Sequence, residues 1–154
     1  MPTEAEWEYA CRAATITPFN TGGNLTTDEA NYDGNYPYNQ NRKGQYREST
    51  VAVDSFAPNA WGLYNMHGNV WEWCSDWYDL DYDAACKAKG VVTNPENTAQ
   101  GSGRVLRGVS WSSNAGYCRS AYRNDFPPDS GPTMLASAWF SSRSQLAAHS
   151  GFAF

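Results

Sequence analysis

The chain has 154 residues, a length that suits one domain and is short for two. Its net charge is −5 and only 18% of its residues are charged, against about 25% in typical globular proteins, which argues against a polyanion-binding surface and thus against nucleic acid as a partner. Aromatic residues make up 15% of the chain, so we expect a core of few, large rings within a fold rich in irregular backbone.

The sequence contains no apolar stretch that approaches the roughly 18 residues of a membrane span. Its first residues lack the basic and apolar regions of a secretory signal, and the compartment is left unassigned. The cysteines are widely spaced and have only His67 and His149 as imidazole partners, which argues against a structural zinc site. Their even number permits disulfides without requiring them. The four are Cys11, Cys74, Cys86 and Cys118.

The first predicted element is a helix that begins after Thr3, which forms the start signal of a capping box with Glu6. Apolar residues then recur at helical spacing and predict one buried face. They are Trp7, Ala10, Cys11 and Ala14. From about residue 15 to 59 the sequence is polar and rich in turns, but tyrosines recur throughout, which predicts an ordered loop.

Three strand-like runs follow, at 70–77, 104–111 and 117–122. The first run alternates, which predicts two distinct faces. Its faces comprise Trp71, Trp73, Ser75 and Trp77 on one side and Val70, Glu72, Cys74 and Asp76 on the other. The second and third runs are separated by residues 112–116, a suitable hairpin connection. One short helix and a few strands within long loops predict an α+β fold with low regular secondary structure.

Three blocks of sequence carry a family resemblance: PTEAEWEYA at 2–10, NAWGLYNMHGNVWEW at 59–73 and RVLRGVSW at 104–111. In this order and spacing they closely resemble the formylglycine-generating enzyme family, also called sulfatase-modifying factors. The resemblance runs from Pro2 to about Asp129, with a departure at Val109, where the family usually has glycine. It implies a variant of the C-type lectin fold, in agreement with the loop-rich α+β prediction.

Family members normally carry a further stretch upstream of the first block. We therefore expect residues 1–129 to be the C-terminal portion of a larger domain and incomplete alone, with a complete small domain as the alternative. The tail at 130–154 lacks the Gly-Phe-Arg-Leu-Val type strand that closes family chains. Because a two-nucleotide shift of a back-translation restores such a strand, we hypothesise a frameshift near Ser130. A divergent tail is the alternative, and the DNA sequence decides between them.

Enzymes of the resembling family oxidise a cysteine of a client sulfatase to formylglycine with copper(I) and oxygen, using two cysteines five positions apart. The second of these matches Cys118, but the first falls on Ser113, whose hydroxyl is a poor substitute for a soft thiolate. Ser110 matches the serine beside the family's oxygen-binding pocket, and Trp71 matches an aromatic in its wall. The resemblance thus makes Cys118, Ser110 and Trp71 candidate catalytic residues, while copper binding is not expected. A buried structural role is the alternative for Cys118.

The resemblance also implies calcium, which prefers oxygen ligands. The matching ligands are Asn65, Gly68, Val70 and Glu72, with main-chain oxygens from the second and third. The alternative is that Glu72 faces solvent or pairs with an arginine. A second calcium site would involve Asn31 and Tyr32, but the acidic residue it needs falls on Gln45, which leaves that site in doubt. For His67, inside the same block, a packing or capping role is preferred to general base.

We expect a binding module or domain fragment that lacks copper oxidase activity, with a protein or peptide ligand. The segment at 112–117, followed by Asn124, Asp125 and Phe126, has the adaptable composition of recognition surfaces. Lectin-like variable proteins that share the fold display such positions around the last hairpin. One alternative is a formylglycine-generating oxidase. An iron-dependent sulfoxide synthase would need more histidines, and a remnant of a truncated gene would have no function alone.

Overall fold

In the computed structural model of the protein, residues 1–129 are described, and the tail for which we hypothesise a frameshift lies outside them. The first element, α1 (Glu4–Arg12), begins as predicted: the Thr3 hydroxyl accepts from the Glu6 backbone N–H at 3.2 Å, and the Glu6 carboxylate accepts from the Thr3 N–H at 2.8 Å. Two of the free N–H donors of the first turn are thereby satisfied. The helix ends at Arg12 because Ala13 adopts a left-handed conformation (φ 43°). Ala14 is consequently exposed, so its assignment to the buried face was wrong.

A three-stranded antiparallel sheet follows, with the order β1 (Glu72–Trp77), β2 (Arg104–Arg107) and β3 (Asn124–Phe126). The alternation in β1 is confirmed, and it is the face with Glu72, Cys74 and Asp76 that is buried, while the tryptophan face is half-buried. The central strand is shorter than predicted because Gly108 (φ 83°) and Val109 (φ 77°) both have left-handed backbones that end it.

The predicted strand at 117–122 is absent from the described residues, and the predicted hairpin across 112–116 was wrong. A 3-10 turn covers Ala115–Cys118 instead, and β2 pairs with the later strand β3, with Val105 opposite Asp125. Cys118 and Ser120 are both buried, so the turns in this stretch place alternate side chains inward much as a strand would. A second helix, α2 (Tyr82–Ala88), was not predicted; it has no buried residue, so no apolar periodicity marks it.

The core consists of two clusters. The first joins α1 to the sheet and comprises Trp7, Ala10, Cys11, Leu63, Met66, Cys74 and Val105. The second cluster lies under the turns after β2 and comprises Phe19, Leu25, Ala30, Tyr32, Val109, Ala115 and Cys118. All four cysteines are free, so packing rather than disulfides holds these clusters together. Within residues 1–129, no helix has the length and apolar character needed to cross a membrane.

The segment at 15–59 has no helix or strand, yet it is tied to the rest of the fold. The Tyr32 ring is buried in the second cluster and its hydroxyl donates to the Leu25 carbonyl at 3.1 Å. The Asp33 N–H donates to the Ser113 carbonyl at 2.9 Å, which fixes the loop against the turns after β2. The expected role of the tyrosines holds for Tyr32 but not for Tyr36, which is exposed.

Candidate functional site

Three serine hydroxyls converge just after β2. The backbone reverses at Gly108 and Val109, and this reversal buries Ser110 to 2% exposure. Its Oγ lies 3.0 Å from the Ser112 Oγ and 3.4 Å from the Ser113 Oγ, and either oxygen of each pair can donate. We call these three residues the hydroxyl cluster. A left-handed backbone is strained for a β-branched residue, so Val109 maintains a turn that glycine would adopt without that cost.

Cys118 lies in the 3-10 turn that follows the hydroxyl cluster. Its side chain is buried in the second core cluster, and its thiol donates to the Asn114 carbonyl at 3.8 Å. Burial, with a smaller contribution from nearby Cys11, raises the pKa of Cys118 to about 12. The residue is therefore a neutral thiol near pH 7, and the buried alternative for it is the one the structure favours.

Aromatic rings flank this region. Trp71 packs against the second core cluster, and its ring centroid lies 6.4 Å from that of Tyr122. The Tyr122 and Tyr117 centroids are 4.9 Å apart, and Tyr117 is 46% exposed. We call these three rings the aromatic rim. The predicted residues Ser110, Cys118 and Trp71 thus border one core cluster, although the structure places only Ser110 within the hydroxyl cluster.

His67 links the first core cluster to the site. Its Nδ1 lies 2.7 Å from the Cys118 carbonyl oxygen, and its Nε2 accepts from the Asn20 N–H at 3.0 Å. This pairing requires the neutral ring with the proton on Nδ1. Burial lowers the pKa of His67 to about 4. The preferred packing role is confirmed, since both ring nitrogens are committed to backbone groups.

The loop at 65–72 holds two unusual oxygens. Asn65 has a left-handed backbone (φ 53°); its amide nitrogen donates to the Val53 carbonyl at 3.1 Å, while its Oδ1 is buried and has no hydrogen-bond partner among the described residues. The Glu72 carboxylate is buried and accepts from the Trp7 indole N–H at 2.8 Å. Burial raises the pKa of Glu72 to about 7, and the Trp7 hydrogen bond opposes that rise. Glu72 therefore does not face solvent, and it pairs with no arginine of the described residues.

Gly68 shapes this loop. Its backbone is left-handed (φ 96°), and a Cβ there would lie 2.3 Å from the Asn31 carbonyl oxygen, so no side chain fits. The Gly68 carbonyl accepts from the Val70 N–H at 3.0 Å. At Gly108, a Cβ would lie 3.3 Å from the Val70 carbonyl oxygen and 3.6 Å from the Glu72 Cγ, which places those two candidate ligands beside the same glycine.

Asn31 and Tyr32 differ in what they offer a cation. The Asn31 Oδ1 is buried without a partner in the described part of the chain, and the backbone of Asn31 pairs with that of Gly68. The Tyr32 hydroxyl is already bonded to the Leu25 carbonyl, and burial raises its pKa to about 12. Asn31 thus lies next to the first set of predicted ligands, whereas the Tyr32 side chain is committed to the core.

Sequence reasoning missed two residues that organise this loop. The Asn69 Oδ1 accepts from the Asn31 side-chain amide at 3.0 Å and from the Val51 N–H at 2.9 Å, so Asn69 holds two distant segments together. Trp7 supplies the indole donor to Glu72. Both residues lie in recognised sequence blocks, Trp7 at 2–10 and Asn69 at 59–73. Their roles gave no sequence signal, because an indole usually indicates packing and the partners of Asn69 lie far away in the chain.

The best-formed grooves of the described residues lie elsewhere. One of about 410 Å³ runs between α1 and α2, and another of about 220 Å³ lies beside Gln45. Neither groove is lined by a residue of the hydroxyl cluster. In residues 1–129, His, Cys, Asp and Glu side chains form no group of three suited to a metal ion.

The sequence matches the family described as sulfatase-modifying factor enzyme 1-like domain over residues 1–135. The chain belongs to this family. The formylglycine-generating enzyme of Bos taurus is 35% identical to it over 143 residues, which cover 88% of this chain and 37% of that protein. The sulfatase-modifying factor resemblance drawn from the three sequence blocks is thereby confirmed.

Solved structures of similar shape agree with this assignment. PvdO from Pseudomonas aeruginosa superposes with a TM-score of 0.64 at 30% identity, covering 84% of this chain and 47% of that one. Treponema denticola variable protein 1 gives a TM-score of 0.61 at 33% identity, covering 83% and 42%. The chain therefore spans less than half the length of each of these three proteins.

The two metals implied by the sulfatase-modifying factor family fit this chain differently. Copper(I) requires soft donors, and the position of its first thiolate is taken by the Ser113 hydroxyl, which is bonded to Ser110, so the residues present do not fit copper. Calcium requires oxygens. The Asn65 Oδ1, which has no partner in the described part of the chain, and the buried Glu72 carboxylate are oxygens that a calcium ion would satisfy, so these residues fit calcium.

Proposed function

We propose that this chain is a formylglycine-generating-enzyme-like domain that binds a protein or peptide ligand beside the hydroxyl cluster and does not carry out copper oxidation. The observation that carries the proposal is the Ser113 hydroxyl, which is hydrogen-bonded to Ser110 where the family's copper site has a thiolate. The remaining thiol, Cys118, has a pKa raised by burial, which further disfavours the thiolate that copper(I) needs.

The recognition surface that we propose consists of residues 112–117 and the aromatic rim. Tyrosine rings give large contact areas at low entropic cost, while serine and asparagine supply adaptable hydrogen bonds. The similarity to Treponema denticola variable protein 1 supports a C-type-lectin-like fold of the sulfatase-modifying-factor type, which we propose for this chain. We further propose that residues 1–129 correspond to the C-terminal portion of a larger domain, consistent with alignment to 37% of the bovine relative.

We also propose a calcium ion in the loop at 65–72. Asn65 and Glu72 would hold it with side-chain oxygens, and Gly68 and Val70 with main-chain oxygens. Asn31 would contribute its amide oxygen next to this loop, since that oxygen has no hydrogen-bond partner among the described residues. A bound calcium would supply structural order here, because it would neutralise a buried carboxylate and fix the chain that carries Trp71.

Copper(I) titration of the 154-residue chain tests the absence of oxidation. We expect no stoichiometric tight uptake by the unaltered protein, and uptake by the Ser113→Cys variant that is lost again when Cys118→Ala is added. The alternative function, a formylglycine-generating oxidase, is favoured by the similarity to the bovine enzyme. Conversion of the cysteine of a sulfatase peptide to an aldehyde by the unaltered chain in air would establish that alternative and overturn the proposal.

A further inference from the structure

The Ser113 hydroxyl offers hydrogen-bonding capacity beyond its bond to Ser110. Each serine hydroxyl has one donor and two acceptor sites. In the described residues, the Ser113 Oγ has the 3.4 Å contact with Ser110 as its hydrogen bond, while Ser113 itself is only half-buried. Ser110, at 2% exposure, lies behind it. The donor and acceptor in each Ser110 hydrogen bond can exchange roles, because either oxygen of each pair can donate. Ser113 can therefore both donate to and accept from a group that approaches from outside.

We infer that the hydroxyl cluster makes this domain selective for a peptide whose central side chain carries an aliphatic hydroxyl, in preference to the thiol that the family's oxidases act on. The inference rests on the proposed function, since it names the ligand of that same surface. A hydroxyl ligand completes short O–H···O bonds, whereas a thiol is a weak donor and a weak acceptor. A site built to bond a hydroxyl discriminates against analogues that leave its polar groups unpaired.

The aromatic rim supplies the rest of the contact. Tyr117, Tyr122 and Trp71 form a nearly continuous row of tilted rings next to the turn that holds Cys118. Such rings bind the apolar faces of neighbouring peptide residues without a specific hydrogen bond. Affinity would thus come from the rim, and the choice between hydroxyl and thiol from the hydroxyl cluster.

Three synthetic peptides test the inference. Each copies the segment of a sulfatase that carries the modified cysteine, with serine, cysteine or alanine at the central position, and binding to the 154-residue chain is measured by calorimetry under reducing conditions. We expect the serine peptide to bind about tenfold more tightly than the other two, the effect of one good hydrogen bond. In the Ser113→Ala variant we expect the three affinities to agree within about twofold. The exposed Ser102→Ala is the matched control and should keep the full preference.

The outcomes separate the two proposals. Equal binding of the three peptides, or tighter binding of the cysteine peptide, would overturn the hydroxyl preference and leave peptide binding intact. Failure of all three to bind would overturn peptide binding at this surface, and the preference with it. The comparison among peptides uses the unaltered chain, so it does not depend on whether Ser113→Ala folds; the thermal unfolding of that variant is measured alongside.

Discussion

The indole N–H of Trp7 donates to the carboxylate of Glu72 across 65 positions of sequence, at 2.8 Å and entirely within the protein interior. This bond joins the first helix to the first strand at the end of the proposed calcium loop. Within residues 1–129 it is also the hydrogen bond that stabilises the ionised form of that carboxylate. The stability of the fold and the protonation state of Glu72, the proposed calcium ligand, are therefore coupled.

Glu72 should make the protein less stable as the pH rises, in the absence of calcium. Its folded pKa, about 7, lies above the ordinary value of 4.5, so its contribution is fully present below pH 4.5 and is lost as the pH rises through 7. The Glu72→Gln variant lacks this loss of stability. Between pH 5 and 8 we expect its free energy of unfolding to rise by about 3 kcal/mol relative to that of the unaltered protein. Urea unfolding with chelator measures the gain. The exposed Glu48→Gln is the control, and an equal pH dependence in both variants would contradict the assignment.

His67 should make the protein less stable as the pH falls, which is the opposite of the pH dependence expected from Glu72. Its folded pKa, about 4, lies below the ordinary value of 6.5, so its contribution is present above pH 6.5 and is lost as the pH falls towards 4. In the unaltered protein this loss offsets the gain from Glu72. In the Glu72→Gln background we expect stability to fall by about 3 kcal/mol from pH 7 to 4. A flat urea-unfolding profile in that background would show that His67 is not buried as a neutral ring.

Calcium should stabilise the protein and displace a proton. At free calcium about 100 times its dissociation constant, we expect about 2.7 kcal/mol of added stability. Below pH 7 calorimetry in buffers of different ionisation enthalpy should register a released proton, because Glu72 binds calcium only when ionised. Asn65→Ala should weaken both effects, while Asp28→Asn, at an exposed position, should leave them unchanged. An unaltered melting temperature in saturating calcium would contradict the proposed calcium site.

The Trp7–Glu72 bond should be stronger when the carboxylate is charged. A double-mutant cycle with Trp7→Phe and Glu72→Gln isolates it from the packing lost with the larger ring. Because the glutamine oxygen can still accept from the indole, we expect a coupling energy of about 1 kcal/mol at pH 8 and close to zero at pH 5, since hydrogen bonds to charged groups are the stronger. Identical coupling at the two pH values would indicate a bond to a carboxyl group whose charge does not change.

Arg107 should not tolerate lysine. Its guanidinium has no exposed surface and bonds Glu4, Glu8 and the Ser120 carbonyl together. A single ammonium cannot match this planar set of donors, so Arg107→Lys should cost about 3 kcal/mol in the free energy of unfolding. Arg42→Lys is the matched control: its pair with Asp28 spans 3.9 Å with both side chains 81% exposed, and we expect no measurable change. A comparable loss of stability at both sites would show that the change from guanidinium to ammonium itself, and not the burial of Arg107, is responsible.

Several elements of the fold could be predicted from short-range sequence patterns. The capping box of α1 needs only the spacing of Thr3 and Glu6, and the alternation of β1 is a property of one strand. The stretch at 117–122 was wrongly predicted as a strand, because strand pairing depends on distant segments and β2 pairs with β3 instead. The helix α2 escaped prediction because it has no buried face to leave a pattern.

The sequence alone determined the family, the serine at the position of the first copper thiolate and the α+β character, since these depend on residue identity and short-range spacing. Only the tertiary structure decided that Glu72 is buried against Trp7, that the side-chain oxygens of Asn65 and Asn31 have no hydrogen-bond partner within residues 1–129, and that Ser113 bonds to Ser110. The physical reason is that burial and hydrogen-bond partnership depend on distant segments meeting, and desolvation changes the pKa of a carboxylate or thiol only once those segments have excluded water.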